Sequence, residues 1–243
     1  MSEKTAMTMK QAIILAGGRG TRLKPFTTNF PKPLVPIDDM PILEIILRQL
    51  KNCGFSDVML AVNHLADLMV AFFKDGAKYG LNIEYSLETT ALGTAGPISL
   101  VENLAENFLV MNGDVLTTID YDDLFNFHLK NKNDITIATF KRKEKIDLGV
   151  LEIGDNGEFV DYKEKPDLFF DVSMGVYVMN KSITGLIPKN SKFDIPELVL
   201  KAQAEKKKIS CYQGSYSWLD IGRPDDYEKA NELFKANRNL FLP

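Results

Sequence analysis

The chemistry of this chain is densest in residues 12–33, AIILAGGRGTRLKPFTTNFPKP. An apolar run, 12–16, stops at Gly17-Gly18-Arg19-Gly20-Thr21-Arg22, and Lys32 follows between two prolines. A buried strand that delivers a glycine-rich, basic loop is suited to holding phosphate. Glycine lets backbone N–H groups approach and aim at phosphate oxygens, while Arg and Lys supply charge. A plain strand-to-helix turn would also account for the glycines, but it has no use for Arg19, Arg22 and Lys32 beside it.

Two familiar phosphate loops fail on residue identity. A P-loop needs Lys-Ser or Lys-Thr after its last glycine, and none follows here. A dinucleotide fingerprint fits at Gly18 and Gly20 but finds Leu23 where its third glycine belongs, which argues against a nicotinamide oxidoreductase. The run L-A-G-G-R-G-T-R-L-x-P-x-T, followed by F-P-K-P-L-x-P-I, instead resembles the signature of the sugar-phosphate nucleotidyltransferases. The glycine, arginine, threonine and lysine positions all agree together.

That resemblance implies roles residue by residue. Leu15, Ala16 and the backbone of Gly17, Gly18 and Gly20, with Thr21, would cradle a nucleoside triphosphate. Arg22 would stabilise charge at the α-phosphate and on departing pyrophosphate, with Arg19 a weaker candidate for the same task, and Lys32 would reach phosphate across the reaction centre. Asp114, in the segment Asn112-Gly113-Asp114, and Asp220, in Trp218-Leu219-Asp220-Ile221-Gly222, resemble aspartates that hold Mg²⁺. Taken alone, either aspartate is equally a turn or N-cap residue. The chemistry favours a cation, because a triphosphate and an attacking phosphate repel one another, and Mg²⁺ takes one or two carboxylates plus phosphates. Asn112 and Gly113 would border the nucleotide. The base would be read by residues 87–96, LETTALGTAG, with Gly93 and Thr94 offering backbone groups and Glu88 accepting from a guanine edge or standing as an exposed loop charge.

On the sugar side, Glu164 and Lys165 of Tyr162-Lys163-Glu164-Lys165-Pro166 look like the hydroxyl acceptor and the cation for the sugar phosphate, and Gly149 would let a hydroxyl reach the backbone. Without the neighbouring motifs, the same segment reads as a solvated strand. Ser173, two residues before Gly175, stands where the family commonly has asparagine, which counts against mannose and leaves heptose and amino-sugar phosphates open. The strings L-G-T-A-G-P and W-L-D-I-G-R-P-D-D-Y are similar to the guanylyltransferase branch, including mannose-1-phosphate guanylyltransferase. The resemblance therefore implies GTP and a sugar 1-phosphate as substrates. Uridylyl-, thymidylyl- and cytidylyltransferases are the alternatives, along with a non-catalytic regulator that binds a nucleotide sugar. A homodimer is compatible with it.

The elements that must position these residues alternate through the first half. Strands are expected at 12–16, 58–62, 83–87 and 108–111, and helices at 42–50, 65–79 and from 96 onward. This order implies a Rossmann-like α/β fold with a mixed, mostly parallel central sheet flanked by helices, and ligands at the carboxyl ends of its strands. The second half predicts strands at 135–140, 148–153, 159–163 and 172–179 with little helix between them, a smaller β-rich lobe, and helices at 196–206 and 224–236. Asp155-Asn156-Gly157 signals a hairpin. We expect an N-terminal extension over 1–10 and one domain over 11–243, divided into a nucleotide half (11–118) and a sugar half (119–243). The resemblance ends near residue 233, so no C-terminal left-handed β-helix is expected.

At 243 residues, with a net charge of −4 and 45% hydrophobic content, the chain suits a globular α/β domain and not a nucleic-acid partner. No apolar run is long enough to span a membrane, and residues 1–10 lack a signal-peptide core, so the cytoplasm is the default. Cys53 and Cys211 lack metal-ligand spacing and are expected reduced in the interior. The only histidines are His64, expected in a loop or helix start, and His128, expected on a helix surface. Neither is needed as a base, because a sugar phosphate is already largely a dianion at neutral pH.

Overall fold

A computed structural model of the chain describes residues 10–18, 20–88 and 90–242. In chain order its strands and α-helices are β1 (Lys10–Leu15), β2 (Pro36–Ile37), β3 (Met40–Pro41), α1 (Ile42–Asn52), β4 (Phe55–Val62), α2 (Ala66–Phe73), β5 (Asn82–Leu87), β6 (Asn107–Asn112) and β7 (Val115–Thr117). There follow α3 (Tyr121–Asn131), β8 (Ile135–Lys145), β9 (Gly149–Ile153), β10 (Phe159–Glu164), β11 (Asp167–Asn180), α4 (Ile195–Ala204), β12 (Ile209–Tyr212), β13 (Trp218–Asp220), α5 (Pro224–Ala236) and α6 (Arg238–Phe241).

A seven-stranded sheet runs in the order β12-β8-β11-β6-β1-β4-β5. β1 lies parallel to β4 and β6, β4 to β5, and β12 to β8, while β11 runs antiparallel to both of its neighbours. Strands buried on both faces explain the continuous apolar runs. Ile13 and Ile14 are both fully buried but belong to opposite core layers, as strand alternation requires. One layer gathers α1, α2, α3 and α5, and the other gathers α4 and several 3₁₀ turns. The chain winds outward from β1 through β4 to β5, then returns to place β6 on the other flank of β1. The crevice at the carboxyl ends of β1 and β6 is therefore the topological switch point, where ligands bind in such sheets.

Several local expectations are corrected. The helix expected over 65–79 ends at Phe73, and a 3₁₀ turn carries on at Ala77–Tyr79. The break falls at Lys74 (φ +51°), and Gly76 follows at φ +80°, where a Cβ would stand 2.5 Å from Ile83 Cγ1. The helix expected from 96 is a short 3₁₀ turn, Gly96–Leu100. Among the described residues no helix intervenes between β8 and β11, as expected, while α3, ahead of β8, lies outside the expected helix ranges. Asp120 caps α3 by accepting from the backbone N–H of Asp122 and Asp123 at 2.8 and 3.1 Å. His128 is buried, not on a helix surface: Nδ1 lies 2.9 Å from Thr136 Oγ1 and Nε2 lies 3.0 Å from Asn107 Oδ1. Cys53 is half-buried and Cys211 exposed, both as free thiols, so the interior placement fails for Cys211.

The predicted hairpin forms, with β9 and β10 antiparallel and Gly157 at φ +83°. Of the expected extension only Lys10, which opens β1, is described. Among the described residues the chain after β13 is helical, with no β-helix coil, and no helix is long and apolar enough to cross a membrane.

Candidate active site

The loop after β1 and the turn after β6 are stacked at the switch point. Leu15 pairs with Asn112 across the sheet, and Gly113 N–H donates to Leu15 O at 3.0 Å. Gly17 leaves room for Glu88, whose Oε1 would stand 2.9 Å from a Cβ at that position. Gly20 takes a left-handed conformation (φ +59°), where a Cβ would stand 2.9 Å from Thr27 Cγ2, and its carbonyl accepts from Thr27 Oγ1 at 2.6 Å. The chain then tightens into a 3₁₀ turn, Thr21–Leu23, which buries Leu23 and leaves Arg22 exposed. Arg19 lies outside the described residues.

Lys32 opens a second 3₁₀ turn and is only 9% exposed. Its Nζ donates to Asp114 Oδ2, while the other carboxylate oxygen, Oδ1, is buried with no hydrogen-bond partner. Asp220 reaches the same place through β13, which pairs antiparallel with β7 in the register Asp220↔Val115, and Ile221 N–H donates to Asp114 O at 3.1 Å. Arg22 comes close on the other side of Gly222: a Cβ there would lie 3.5 Å from Asp220 Oδ2 and 3.7 Å from Arg22 Nη2.

The electrostatics record this convergence. Partial desolvation raises the Asp220 carboxyl first, the Asp114 carboxylate raises it further, and Lys32 and Arg22 pull it back. The side chain nonetheless opens onto a cavity and is exposed by surface area, so solvent screens the shift. Two carboxylates of like charge, one with an orphaned oxygen, suit a hard cation with oxygen ligands. Among the described residues no group of three or more His, Cys, Asp or Glu is placed to hold a metal. A cation here would need oxygens from a ligand to complete its shell.

A cavity of about 340 Å³ opens beside this cluster, lined by Leu15, Gly17, Gly18, Asn63, Glu88, Gly93, Thr94, Asn112 and Asp114 among others. Desolvation raises the Glu88 carboxyl, and its Oε2 accepts from Leu92 N–H at 3.1 Å. Gly93 (φ +79°) and Thr94 are pinned to the start of α4. A Cβ on Gly93 would stand 2.5 Å from Asp194 Oδ1, and Thr94 N–H donates to that oxygen at 2.8 Å. Sequence reasoning passed over Asp194, although Asp194-Ile-Pro-Glu197 is a legible capping box.

On the other flank, β11 bulges between Ser173 and Tyr177. The bulge holds Gly175 at φ +72°, where a Cβ would stand 2.5 Å from Asn112 Nδ2. Ser173 Oγ lies 2.8 Å from Tyr177 OH, and Trp218 Nε1 donates to Met174 O at 3.0 Å. Ser173 and Gly175 are thus joined to the crevice. Gly149, Glu164 and Lys165 lie on the exposed β9–β10 hairpin and its exit. Gly149 pairs with Glu164, which accepts from Tyr162 OH at 2.8 Å. Among the described residues none of the three is bonded to the Lys32–Asp114 pair.

A second cavity, about 370 Å³, lies against Arg22, Trp218, Asp220 and Gly222. A third, about 390 Å³, is larger but lies at the amino ends of β1, β4 and β5 beside Gln11, Asp57 and Asn82. It is far from the carboxyl-end crevice and gathers no comparable set of groups.

Comparison with known proteins agrees with this geometry. The nucleotidyl transferase family model matches residues 11–237. A probable mannose-1-phosphate guanylyltransferase 3 of Oryza sativa subsp. japonica is 34% identical over 233 residues, 92% of this chain and 64% of that protein. A UTP–glucose-1-phosphate uridylyltransferase of Synechocystis is 30% identical over 255 residues, 96% of this chain and 66% of that protein. The chain thus spans about two thirds of the length of these relatives. The crystal structure of HddC from Yersinia pseudotuberculosis complexed with GMP-PN superposes with a TM-score of 0.71 at 26% identity, covering 93% of this chain and 100% of that one. With a matching family model over nearly its whole length, and its cations and carboxylates gathered where the sheet reverses, this chain belongs to the nucleotidyl transferase family.

Proposed function

We propose that the chain transfers a nucleotidyl group from a nucleoside triphosphate to a sugar 1-phosphate, in the presence of Mg²⁺. The observation that carries this reading is the meeting of Arg22, Lys32, Asp114 and Asp220 in one cluster, beside the cavity that Asp114 and the glycine-rich loop line. A phosphate oxygen of the sugar 1-phosphate attacks the α-phosphorus. The bond from that phosphorus to the oxygen bridging to the β-phosphate breaks, and pyrophosphate leaves with the electron pair. No proton need move, which suits a site without a histidine: His64 is exposed in a turn and His128 is enclosed among Thr136 and Asn107.

The chain's own groups act by position and charge. Gly17, Gly18 and Gly20 let the backbone approach the phosphates. Lys32 and Arg22 offset negative charge on opposite sides of the reaction centre. Asp114 and Asp220 would hold Mg²⁺, which would screen the repulsion between the two phosphate groups. Gly149, Glu164, Lys165, Ser173 and Gly175 would receive the sugar phosphate, with Lys165 as its cation.

GTP is the favoured nucleotide. Glu88 stands half-enclosed at the cavity wall as an acceptor, and relatives named as guanylyltransferases, from rice and from Yarrowia lipolytica, match most of the chain. The Synechocystis relative supports UTP as the second reading. Pyrophosphate release measured with each of four triphosphates against mannose, glucose, heptose and amino-sugar 1-phosphates tests both. GTP-dependent release is expected. Activity with UTP but not GTP would transfer the assignment to uridylyl transfer, and tight nucleotide-sugar binding with no release from any pair would make the protein a binding module.

A further inference from the structure

The second cavity gathers positive charge that the roles above leave unused. Besides Arg22, its walls present Arg142 from β8, and Arg223 and Lys229 from the start of α5. These four cations face two carboxylates, Asp220 and Asp226, in a protein whose net charge is −4. Arg142 is ion-paired with Glu144. Among the described residues Arg22, Arg223 and Lys229 form no ion pair at all. Arg223 is also the N-cap of α5 and makes no side-chain cap bond, while Asp225 and Asp226 in the first turn offset the field of that helix end. Four cations against two carboxylates leave this wall net positive, and an anion would offset that charge.

The position of the cavity selects the anion. Asp114 borders the nucleotide cavity, whereas Asp220 and Arg22 border this one. The Lys32–Asp114–Asp220–Arg22 cluster therefore stands between the two spaces. Of the sugar-side residues, Ser173 faces away from the second cavity. Phe140 and Arg142 are two apart on β8 and share the face toward this cavity, whereas Thr139, which pairs with Ser173, points to the opposite face. A triphosphate with its base in the first cavity and its α-phosphate at the cluster would direct its terminal phosphates here.

We propose that Arg142, Arg223 and Lys229 extend the binding of the departing pyrophosphate from Arg22 of the glycine-rich loop into this second cavity. The assignment rests on the transferase reading for its source of pyrophosphate. When the bond between the α-phosphorus and its bridging oxygen breaks, that oxygen departs with the electron pair on pyrophosphate, and these cations accept the charge. Trp218 and Phe140, with ring centroids 5.4 Å apart, give the cavity an apolar stretch of wall.

Calorimetric titration of the full chain with pyrophosphate, and separately with GMP and UMP, tests this without turnover. Arg223 and Lys229 are exposed and on one short segment, so the double variant Arg223→Gln/Lys229→Met should fold. It should weaken pyrophosphate binding on the order of 10-fold or more, as expected for losing two charge-assisted contacts, while the monophosphate affinity stays within about 2-fold. Arg142→Gln, on a different element, should weaken pyrophosphate in the same selective way and serves if the double variant misfolds. Unchanged pyrophosphate affinity, or equal loss for pyrophosphate and monophosphate, would overturn the assignment. Turnover assays separate the two readings. Selective pyrophosphate loss in a protein that turns over no triphosphate with any sugar phosphate would leave the cavity standing and remove the transferase reading. Normal transfer with pyrophosphate binding indifferent to both variants would do the reverse.

Discussion

Asp114→Asn removes one charge from the centre of the cluster with almost no change of shape. The Lys32 and Asp114 side chains are 11% and 20% exposed, so their bond is shielded from water. Asparagine can still accept from Lys32, so the loss is the difference between a charged and a neutral hydrogen bond, about 1 kcal/mol. Relief of the repulsion between Asp114 and Asp220 offsets part of that. For a chain of this size about 1 kcal/mol lowers the melting temperature by roughly 2–4 °C, so the variant should fold. Asp220 should respond: losing the Asp114 charge, the second largest cause of its raised pKa, should bring it back toward the ordinary carboxylate range, with desolvation left in place.

The sign of the stability effect follows. Between that ordinary range and its raised value, folded Asp220 keeps a proton that the unfolded chain has lost, so stability falls as pH rises through the window. The variant should flatten this fall. Transfer activity in Mg²⁺ should drop on the order of 10²-fold or more, the usual scale for a lost charge contact at the reaction centre. Thermal melts, a carbon-detected NMR titration of Asp220 and pyrophosphate release measure the three effects. A variant that turned over within threefold of the parent, with the Asp220 titration unmoved, would refute the reasoning.

Arg22→Ala should cost on the order of 10²-fold in kcat with little change in melting temperature, because the side chain is exposed; an unchanged kcat would remove it from the reaction centre. Gly175→Ala forces a Cβ to 2.5 Å from Asn112 Nδ2 at φ +72° and should destabilise by about 1–3 kcal/mol; an unshifted urea midpoint would show that the bulge relaxes freely. His128, held by burial at a pKa of about 4 against an ordinary 6.5, is neutral when folded but takes a proton when unfolded. Stability should therefore fall as pH drops from 6.5 toward 4, by up to roughly 3 kcal/mol. Urea denaturation at both ends of that range, with His128→Gln as the control, checks this; identical pH profiles for the two proteins would assign the loss to other groups.

Local sequence carried the glycine-rich turn after β1 and the inner parallel strands. Unbroken apolar runs bounded by glycine have few alternatives, and β1 and β6 follow the expected ranges closely. Positions decided by distant partners were not legible in this way. Nothing near residue 128 marks His128 as buried; it is enclosed because Asn107 and Thr136 arrive from other strands to bond both ring nitrogens. Likewise β13 is three residues long and exists through its pairing with β7, so Asp220 could be singled out by motif but not placed beside Asp114 by local pattern. The helix expected over 65–79 stops early because the chain turns at Lys74 (φ +51°) and again at Gly76 (φ +80°), where Ile83 packs too close to admit a side chain. For Gly149, Glu164 and Lys165 the exposed hairpin gives no packing signal in either sequence or structure, and their part in sugar recognition stays a proposal.

Trp218 is the sole tryptophan of the chain, and its ring lies between the aspartate on β13 and the bulge on β11, with its indole N–H committed to Met174 O. Indole emission depends strongly on local polarity and on whether that N–H is bonded. Excitation at the red edge of the protein spectrum therefore interrogates this junction alone, free of the eight tyrosines. Ligand arrival, ion entry and loosening of the β11 bulge should each leave a distinct optical trace, so the fold carries its own built-in, label-free sensor for kinetics.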